Sequence, residues 1–545
     1  MKTPLFDRLS VMLDCSRGAV YTVPTVCRLI DLLASMGYSE LQLYTEDTYE
    51  IEEEPYFGHM RGRYTREELR EIDAYAASHG IELVPCIQTL GHLGSIMYWK
   101  HFSGRVQDCG GTMLADSEET YALIDRMFGA LEGSFRSRRV NIGMDEAYWI
   151  GRGKYYDLHG DTDHMTLLLR HLGRVCDIAA RHGFAPMMWS DMFFHLLTGG
   201  GYGAFREDTA ISSSLTEKIP AGLTLIYWDY AQSPEQYLRV MRAHRAFGRD
   251  IRFAGGAWTW MGYSPLTDYA LRQTEYAVDA CAAAGVRCFM MTLWGDCGAE
   301  CSPFSALPTL FYLSARNRGI EDMAEIRAAF ARQFGFSFDD MLALDLPNRA
   351  GSPRGYENCA RYALFNDPFL GLWDDALPAA TASEYRDAAA VIRAAAQRVG
   401  ASGATGNSLA PLFEPIARLC DILAVKFDLG LRLRAAYQSD DRAALAAIAQ
   451  QLSDLPAVVQ HFYEAEREQW YAERKSFGFE LHCYRLGGLC GRLRDCARRL
   501  ADYLDGTLPS IPELAEDALP RNPDHPHTPE GLWAFGSIIS PTSLG

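Results

Sequence analysis

The sequence predicts an α/β fold: a (β/α)8 TIM barrel followed by a mostly α-helical C-terminal domain. Three features carry that expectation. Residues 1–318 hold eight short apolar runs of strand length, amphipathic segments of helical period separate most of them, and from about residue 319 the strand-like runs vanish. Strands alternating with helices are the pattern of repeated βα units, and eight such units in roughly 300 residues is the size of a closed barrel.

The predicted strands are 9–14, 40–45, 81–87, 139–144, 184–190, 223–229, 250–256 and 286–293. After the first, Cys15-Ser16-Arg17-Gly18 offers a single glycine, which argues against an open doubly wound sheet with a glycine-rich phosphate loop. Between the second and third, Thr65 and Glu68 have capping-box spacing ahead of Leu69, Ile72 and Ala76, which share one helical face. After the third, Leu123, Ile124, Met127, Phe128 and Leu131 repeat on one side of a helix. Gly183 and Gly285 stand where helices close just before a strand. Beyond the barrel, helical spacing recurs over 322–334, 382–399, 411–437, 440–453, 455–475 and 484–505, with Gly/Ser/Pro/Asn stretches at 351–371 and 400–408. The expected domains are a barrel over 1–318, a helical domain over 319–505, and a Pro-rich tail over 506–545 that is either loose or strapped to the body. The helical domain either braces the barrel or forms a homodimer.

A chain of 545 residues is too long for one core, consistent with that division. Its 70 acidic and 52 basic residues give a net charge of -18, which repels phosphate backbones and removes nucleic acid from the expected partners. The N-terminus lacks the apolar run of a signal peptide, and no stretch has the apolar length of a membrane span. The 14 cysteines are scattered, without Cys-x-x-Cys, and read as reduced thiols of a cytoplasmic protein. Cys297 and Cys301 have metal-like spacing but no second ligand pair nearby, so no metal and no organic cofactor is expected.

Catalytic residues of such a barrel sit at the C-terminal ends of its strands. The fourth strand ends Val140-Asn141-Ile142-Gly143-Met144-Asp145-Glu146, and strict alternation aims Asn141, Gly143 and Asp145 at the lumen. Adjacent carboxylates raise one pKa, which suits a general acid. An isolated Asp-Glu pair is more often a helix cap beside a solvated neighbour. Its company reverses that reading. Trp189, Trp228, Trp258 or Trp260, and Trp294 end the fifth to eighth strands, among Asp191, Asp229, Tyr230, Asp296 and Glu300. Flat apolar walls with carboxylates suit a sugar, whose faces are apolar and whose edges carry hydroxyls. Arg17 after the first strand has the geometry for vicinal hydroxyls, Glu46 and Asp47 follow the second, and His92 lies in the loop after the third.

With Asp14-Cys15-Ser16-Arg17, Gly91-His92, Gly-x-Asp-Glu at 143–146 and the tryptophans of strands five to eight, the chain resembles the family 20 glycoside hydrolases, β-N-acetylhexosaminidases. The likeness covers about residues 5–318 and is nearest the branch without the extra N-terminal α/β domain. It implies exo-acting removal of terminal β-linked N-acetylglucosamine or N-acetylgalactosamine from a small glycan, by substrate-assisted retention. It further implies Glu146 as general acid and base, Asp145 on the 2-acetamido nitrogen, and His92, backed by Glu46 or Asp47, on Glu146. Arg17 would bind the 3- and 4-hydroxyls; Trp189, Trp228 and Trp258 would box the acetamido methyl. Trp294 would stack under the ring, Asp296 would bind the 4- or 6-hydroxyl, and Tyr230 or Tyr263 would meet the acetamido oxygen. The family's usual His-x-Gly-Gly-Asp-Glu is altered here, with Asn141 and Met144 in place of the histidine and second glycine. Rival readings are a glycosidase whose nucleophile is Asp296 or Glu300, an inactive sugar-binding barrel, and a metal-dependent hydrolase, which lacks the paired histidines.

Overall fold

The structure, a computed structural model, describes residues 3–351, 359–377, 379–520, 523–524 and 535–542. Eight of its strands close a parallel barrel: β1 (Arg8–Asp14), β2 (Glu40–Tyr44), β3 (Glu82–Cys86), β6 (Arg139–Asn141), β7 (Ala185–Trp189), β8 (Thr224–Trp228), β9 (Ile251–Gly256) and β10 (Cys288–Leu293). Their order round the barrel is β1-β10-β9-β8-β7-β6-β3-β2, and every neighbouring pair is parallel. These are the eight apolar runs of the sequence. Strands covered on both faces read as continuous hydrophobic stretches, which is why the runs stand out. Two shorter strands, β4 (Gln107–Cys109) and β5 (Thr112–Met113), form an antiparallel hairpin in the long loop after β3. Segments of two and three residues are too short to show alternation, and the sequence gives no sign of them.

The barrel is filled, not hollow. Met12, Tyr44, Val84, Cys86, Met187, Trp189, Ile226, Ala254 and Met290 form one buried cluster, with Trp228 and Trp294 packed against it. The capping box of Thr65 and Glu68 is present at the helix Arg66–Ser78. Leu123, Ile124, Met127, Phe128 and Leu131 are buried on the helix Glu118–Glu132.

At the N-terminal ends of the strands the core is charged. The fully buried Glu40 carboxylate lies 3.2 Å from Arg8, 2.7 Å from Arg139 and 3.0 Å from Arg252, and Gln42 donates to it at 2.7 Å. Burial alone would favour the protonated acid, but Arg252, Arg139 and Arg8 hold Glu40 below the usual carboxylate range. Glu82 joins the network through Arg8 and Arg139. Arg8 and Arg139 open β1 and β6 and Arg252 is the second residue of β9, so one carboxylate ties three staves together.

The chain divides into two compact units. The first runs to Ala257 and resumes at Ala270–Trp294 and Thr309–Glu321; the second takes Trp258–Tyr269, Gly295–Pro308 and the chain from Asp322. The second unit is built on the helices Ala382–Gly400, Phe413–Lys426, Arg442–Glu473 and Phe479–Leu504. The separate segments expected at 440–453 and 455–475 are one helix of 32 residues with Pro456 inside it. Leu445, Ile448, Leu452, Leu455, Val459 and Phe462 keep one buried stripe through the proline, so packing overrides the lost hydrogen bond. Short helices Cys359–Phe365 and Ala404–Leu409 occupy parts of the stretches expected to be irregular, and residues 352–358 of the first lie outside the described residues. The described parts of the tail lie on the helical unit: Ile511, Leu514 and Ile538 are buried, and the Ile538 carbonyl accepts from Trp373 Nε1 at 3.2 Å. The rest of the proline-rich stretch, 521–522, 525–534 and 543–545, lies outside the described residues.

Replacing Glu40 by Gln leaves three guanidinium groups facing one neutral amide. Denaturant unfolding of Glu40→Gln is expected to show a loss of about 3–5 kcal/mol, the cost of a broken buried ion pair. A loss below about 1 kcal/mol, the size of an exposed pair, would refute the anchoring role.

Candidate active site

The mouth of the barrel is shaped where β6 gives out. Strand pairing stops at Asn141, and Gly143, Met144 and Glu146 take left-handed backbone with φ of 73°, 71° and 50°. The alternation that aimed Gly143 and Asp145 at the lumen therefore does not apply beyond Asn141. Asp145 is turned inward by a side chain instead. Gln88, just past β3, donates from Nε2 to Asp145 Oδ1 at 2.6 Å, and its Oε1 accepts from the Met144 N–H at 3.1 Å. Both loops need glycine to come this close. A Cβ at Gly143 would lie 2.2 Å from Gln88 Oε1, and one at Gly91 would lie 2.6 Å from the Asp145 carbonyl oxygen. Of nine non-glycine residues with positive φ among those described, Glu46, His92, Met144 and Glu146 are four. Such backbone costs of order 1–3 kcal/mol per residue and collects where geometry is imposed by surrounding structure.

His92 stands between the carboxylates. Its Nε2 lies 3.2 Å from Asp145 Oδ2 and 3.5 Å from Glu146 Oε2, while Nδ1 is 3.5 Å from Arg17 Nη2. Burial disfavours the imidazolium, but the Asp145 charge and contact outweigh it and lift His92 to about 9. Arg17 reaches Glu46 at 3.2 Å and Asp14 at 3.9 Å, and Tyr44 donates to Glu46 at 3.0 Å. Burial pushes Glu46 up to about 7 against the pull of Arg17 and His92. Asp47 is turned elsewhere, paired with Arg61 at 3.1 Å. Of the two carboxylates proposed to back His92, Glu46 is the one whose charge reaches it.

The neighbouring acids are driven apart. Burial works to raise Asp145, yet His92 and Gln88 bring it below the ordinary aspartate value. Glu146 is raised, by burial first and by the Asp145 charge second. Its side chain is 41% exposed, and Tyr148 donates to Oε1 at 3.4 Å. A third acid, Asp191, begins the helix Asp191–Thr198 and accepts from the Glu146 N–H at 2.9 Å and from Trp228 Nε1 at 3.2 Å. Burial and the nearby Asp145 raise it to about 8. One carboxylate is thus held ionised while its neighbour is biased toward keeping a proton, the division an acid catalyst needs.

The aromatics gather in the same unit. Trp294 stands edge-on to Tyr44 with centroids 4.7 Å apart, lies 6.2 Å from Trp189, and donates from Nε1 to the Tyr230 hydroxyl at 2.7 Å. Trp228 leans on Tyr230 at 5.4 Å. Trp258 and Asp296 belong to the second unit, Trp258 buried and stacked on Trp260 at 4.6 Å, Asp296 exposed. Tyr263, also there, sets its hydroxyl 3.2 Å from His482 Nδ1. Glu300 is sealed in that unit by Arg361 and Arg485, each at 2.8 Å, so neither oxygen is available as a nucleophile. Gln88 and Tyr148 escape a reading of the sequence. A glutamine at a strand end and a tyrosine in a loop carry no signal of their own, although proximity to His92 and Glu146 marks both. No cluster of three or more His, Cys, Asp or Glu side chains suited to a metal occurs among the described residues.

Comparison with known proteins bears on the same parts of the chain. Residues 8–213 match the glycosyl hydrolase family 20 catalytic domain, and residues 339–533 match the Glycoside Hydrolase 20C C-terminal domain. Hexosaminidase D of Bos taurus is 24% identical over 253 residues, 44% of this chain and 66% of that protein. Hexosaminidase D of Homo sapiens is 26% identical over 272 residues, 47% of this chain and 52% of that protein. The chain thus matches about half to two thirds of the length of these relatives. A family 20 exo β-N-acetylglucosaminidase from Vibrio harveyi, solved with N-acetylglucosamine, is 18% identical with a TM-score of 0.47, covering 63% of this chain and 59% of that one.

A histidine raised from 6.5 to about 9 on folding contributes stability that is complete below 6.5 and disappears as pH rises through about 9. The difference in unfolding free energy between wild type and His92→Gln is therefore expected to shrink across that interval. A difference that stays flat or grows would show that the imidazolium is not held by Asp145.

Proposed function

The chain belongs to glycoside hydrolase family 20, and on that premise we propose that it is an exo-acting β-N-acetylhexosaminidase working by substrate-assisted retention. The observation that carries the proposal is the opposed bias of Asp145 and Glu146, one pulled down by His92 and Gln88, the other raised. The name Hexosaminidase D, borne by both curated relatives, supports the same substrate class.

In this mechanism the protonated Glu146 gives its proton to the glycosidic oxygen as the bond to the anomeric carbon breaks. The substrate's acetamido oxygen attacks that carbon and forms an oxazolinium ion. Asp145, ionised against His92, accepts the hydrogen bond of the acetamido nitrogen and stabilises the positive charge growing on it. Glu146, now a carboxylate, takes a proton from water as the water attacks the anomeric carbon from the face the leaving group vacated and opens the oxazolinium. Adjacent residues can divide this labour because they serve different atoms of one sugar. Arg17 binds the 3- and 4-hydroxyls, Trp294 stacks under the ring, and Trp189 and Trp228 line the acetamido methyl. Tyr230, whose hydroxyl accepts from Trp294, meets the acetamido oxygen.

Three measurements test the reading. Glu146→Gln is expected to lower kcat by about 10²–10⁴, the contribution of a positioned acid. Asp145→Asn is expected to fall by a similar factor, since the amide no longer carries the charge that steadies the oxazolinium. A chromogenic panel that varies the 2-substituent decides the mechanism: equal turnover of the β-glucoside and the β-N-acetylglucosaminide would overturn it in favour of a protein nucleophile.

A further inference from the structure

A general acid works only where its carboxyl is held against the oxygen it protonates, and the Glu146 side chain has little of its own to hold it. It is half-exposed, and its oxygens lie 3.4 Å from the Tyr148 hydroxyl and 3.5 Å from His92 Nε2, both long for hydrogen bonds. The backbone beneath it is left-handed, with φ of 50°, a conformation that persists only where its surroundings impose it. The place of the acid therefore comes from whatever fixes residue 146 from outside.

The helix Asp191–Thr198 does this at two points. Asp191 Oδ2 accepts from the Glu146 N–H at 2.9 Å, and His195 packs on the Tyr148 ring with centroids 4.3 Å apart. Residues four apart share a helix face, so one face of this helix grips the loop at 146 and again at 148. The other oxygen of Asp191 accepts from Trp228 Nε1 at 3.2 Å, at the end of β8. One buried carboxyl thus joins the backbone of the acid to the indole assigned to the acetamido methyl.

The start of that helix is itself pinned. Ser190 donates its N–H to the Ile226 carbonyl at 3.0 Å, and its hydroxyl lies 2.7 Å from the Tyr202 hydroxyl and 2.8 Å from His244 Nε2. His244 Nδ1 lies 2.7 Å from the Val240 carbonyl. A carbonyl only accepts, so Nδ1 carries the ring proton and Nε2 accepts from Ser190. Burial pushes His244 down to about 4, so the ring is neutral near neutral pH and this chain of bonds does not change there. We propose that Asp191 is a positioning residue for the acid: it touches no reacting atom, and it seats Glu146 for protonation of the leaving oxygen while holding Trp228 in register with it. The proposal rests on Glu146 being the general acid of a β-N-acetylhexosaminidase. It makes the cost of losing Asp191 depend on the leaving group, because a poor leaving group needs the proton from Glu146 and an activated phenolate departs without it.

The test measures kcat/KM of the full chain on the phenyl, p-nitrophenyl and 2,4-dinitrophenyl β-N-acetylglucosaminides. The variants are Asp191→Ala, Asp191→Leu, which fills the space without accepting a hydrogen bond, and Glu146→Gln as the reference for a lost acid. In the Asp191 variants the ratio of the phenyl to the dinitrophenyl value is expected to fall about 10- to 100-fold, the scale of a 1 Å misplacement. The share of the loss that passes through Trp228 falls on all three substrates alike and cancels in the ratio, as does any loss of folded protein. A ratio that falls in Glu146→Gln and stays at the wild-type value in the Asp191 variants overturns the seating role. A ratio that stays in Glu146→Gln as well overturns the acid assignment, and the proposal with it. Should neither Asp191 variant fold by near-ultraviolet circular dichroism, Asp191 is a residue of the fold and the proposal is overturned. Should the wild type cleave none of the three, the assigned activity itself fails.

Discussion

The contact between His92 and Asp145 is the interaction on which the rest of the site depends. Two carboxylates on consecutive residues at the mouth of a low-dielectric barrel repel one another, and the cheapest response is for one of them to take up a proton. A charged imidazole 3.2 Å from one and 3.5 Å from the other breaks that symmetry. Gln88 reinforces the choice by donating to the Asp145 carboxylate. Asp145 keeps its charge, Glu146 is left as the group with a proton to give, and the division of roles follows from position before any substrate arrives.

Holding that arrangement requires backbone that an unconstrained chain would avoid. Glu46, His92, Met144 and Glu146 are all left-handed, on three different loops, and Gly91 and Gly143 let those loops approach until there is no room for a Cβ. The strain is sustained because the strands beneath are tied at their other ends, where Glu40 gathers Arg8, Arg139 and Arg252. The barrel thus separates its duties along the strand axis: charge pairing for stability at one end, charge separation for chemistry at the other.

How much of this is legible in the sequence follows from what each feature needs. The eight strands are readable because burial on both faces demands unbroken apolar residues, and Thr65 with Glu68 reads as a cap because the capping interactions are local. Asp145, Glu146, Arg17, His92 and the strand-end tryptophans stand out as residue types in a pattern. Their geometry does not. Alternation gives the correct facing only while the strand lasts, and β6 ends at Asn141, so the inward turn of Asp145 depends on Gln88, 57 residues earlier in the chain. The choice between Glu46 and Asp47 behind His92 turns on Arg61, which claims Asp47 from a distant loop. The division expected between 453 and 455 fails for a similar reason: a buried stripe supplied by tertiary packing carries one helix through it, Pro456 included.

Charge counting explains why the third acid is there. Around His92 the mouth holds Asp14, Glu46, Asp145, Glu146 and Asp191, against two cations, Arg17 and the histidinium. A buried site cannot keep five negative charges beside two positive ones, so some of the acids must bind protons near neutrality. Asp191, which meets only N–H donors, rises to about 8, and Glu46, which shares Arg17, rises to about 7. Asp191 is then a neutral acceptor that fixes the Glu146 backbone and the Trp228 indole without adding to the repulsion around Asp145. Asp191 feels the charges of both Asp145 and Glu146, so the two adjacent acids do not titrate as an isolated pair.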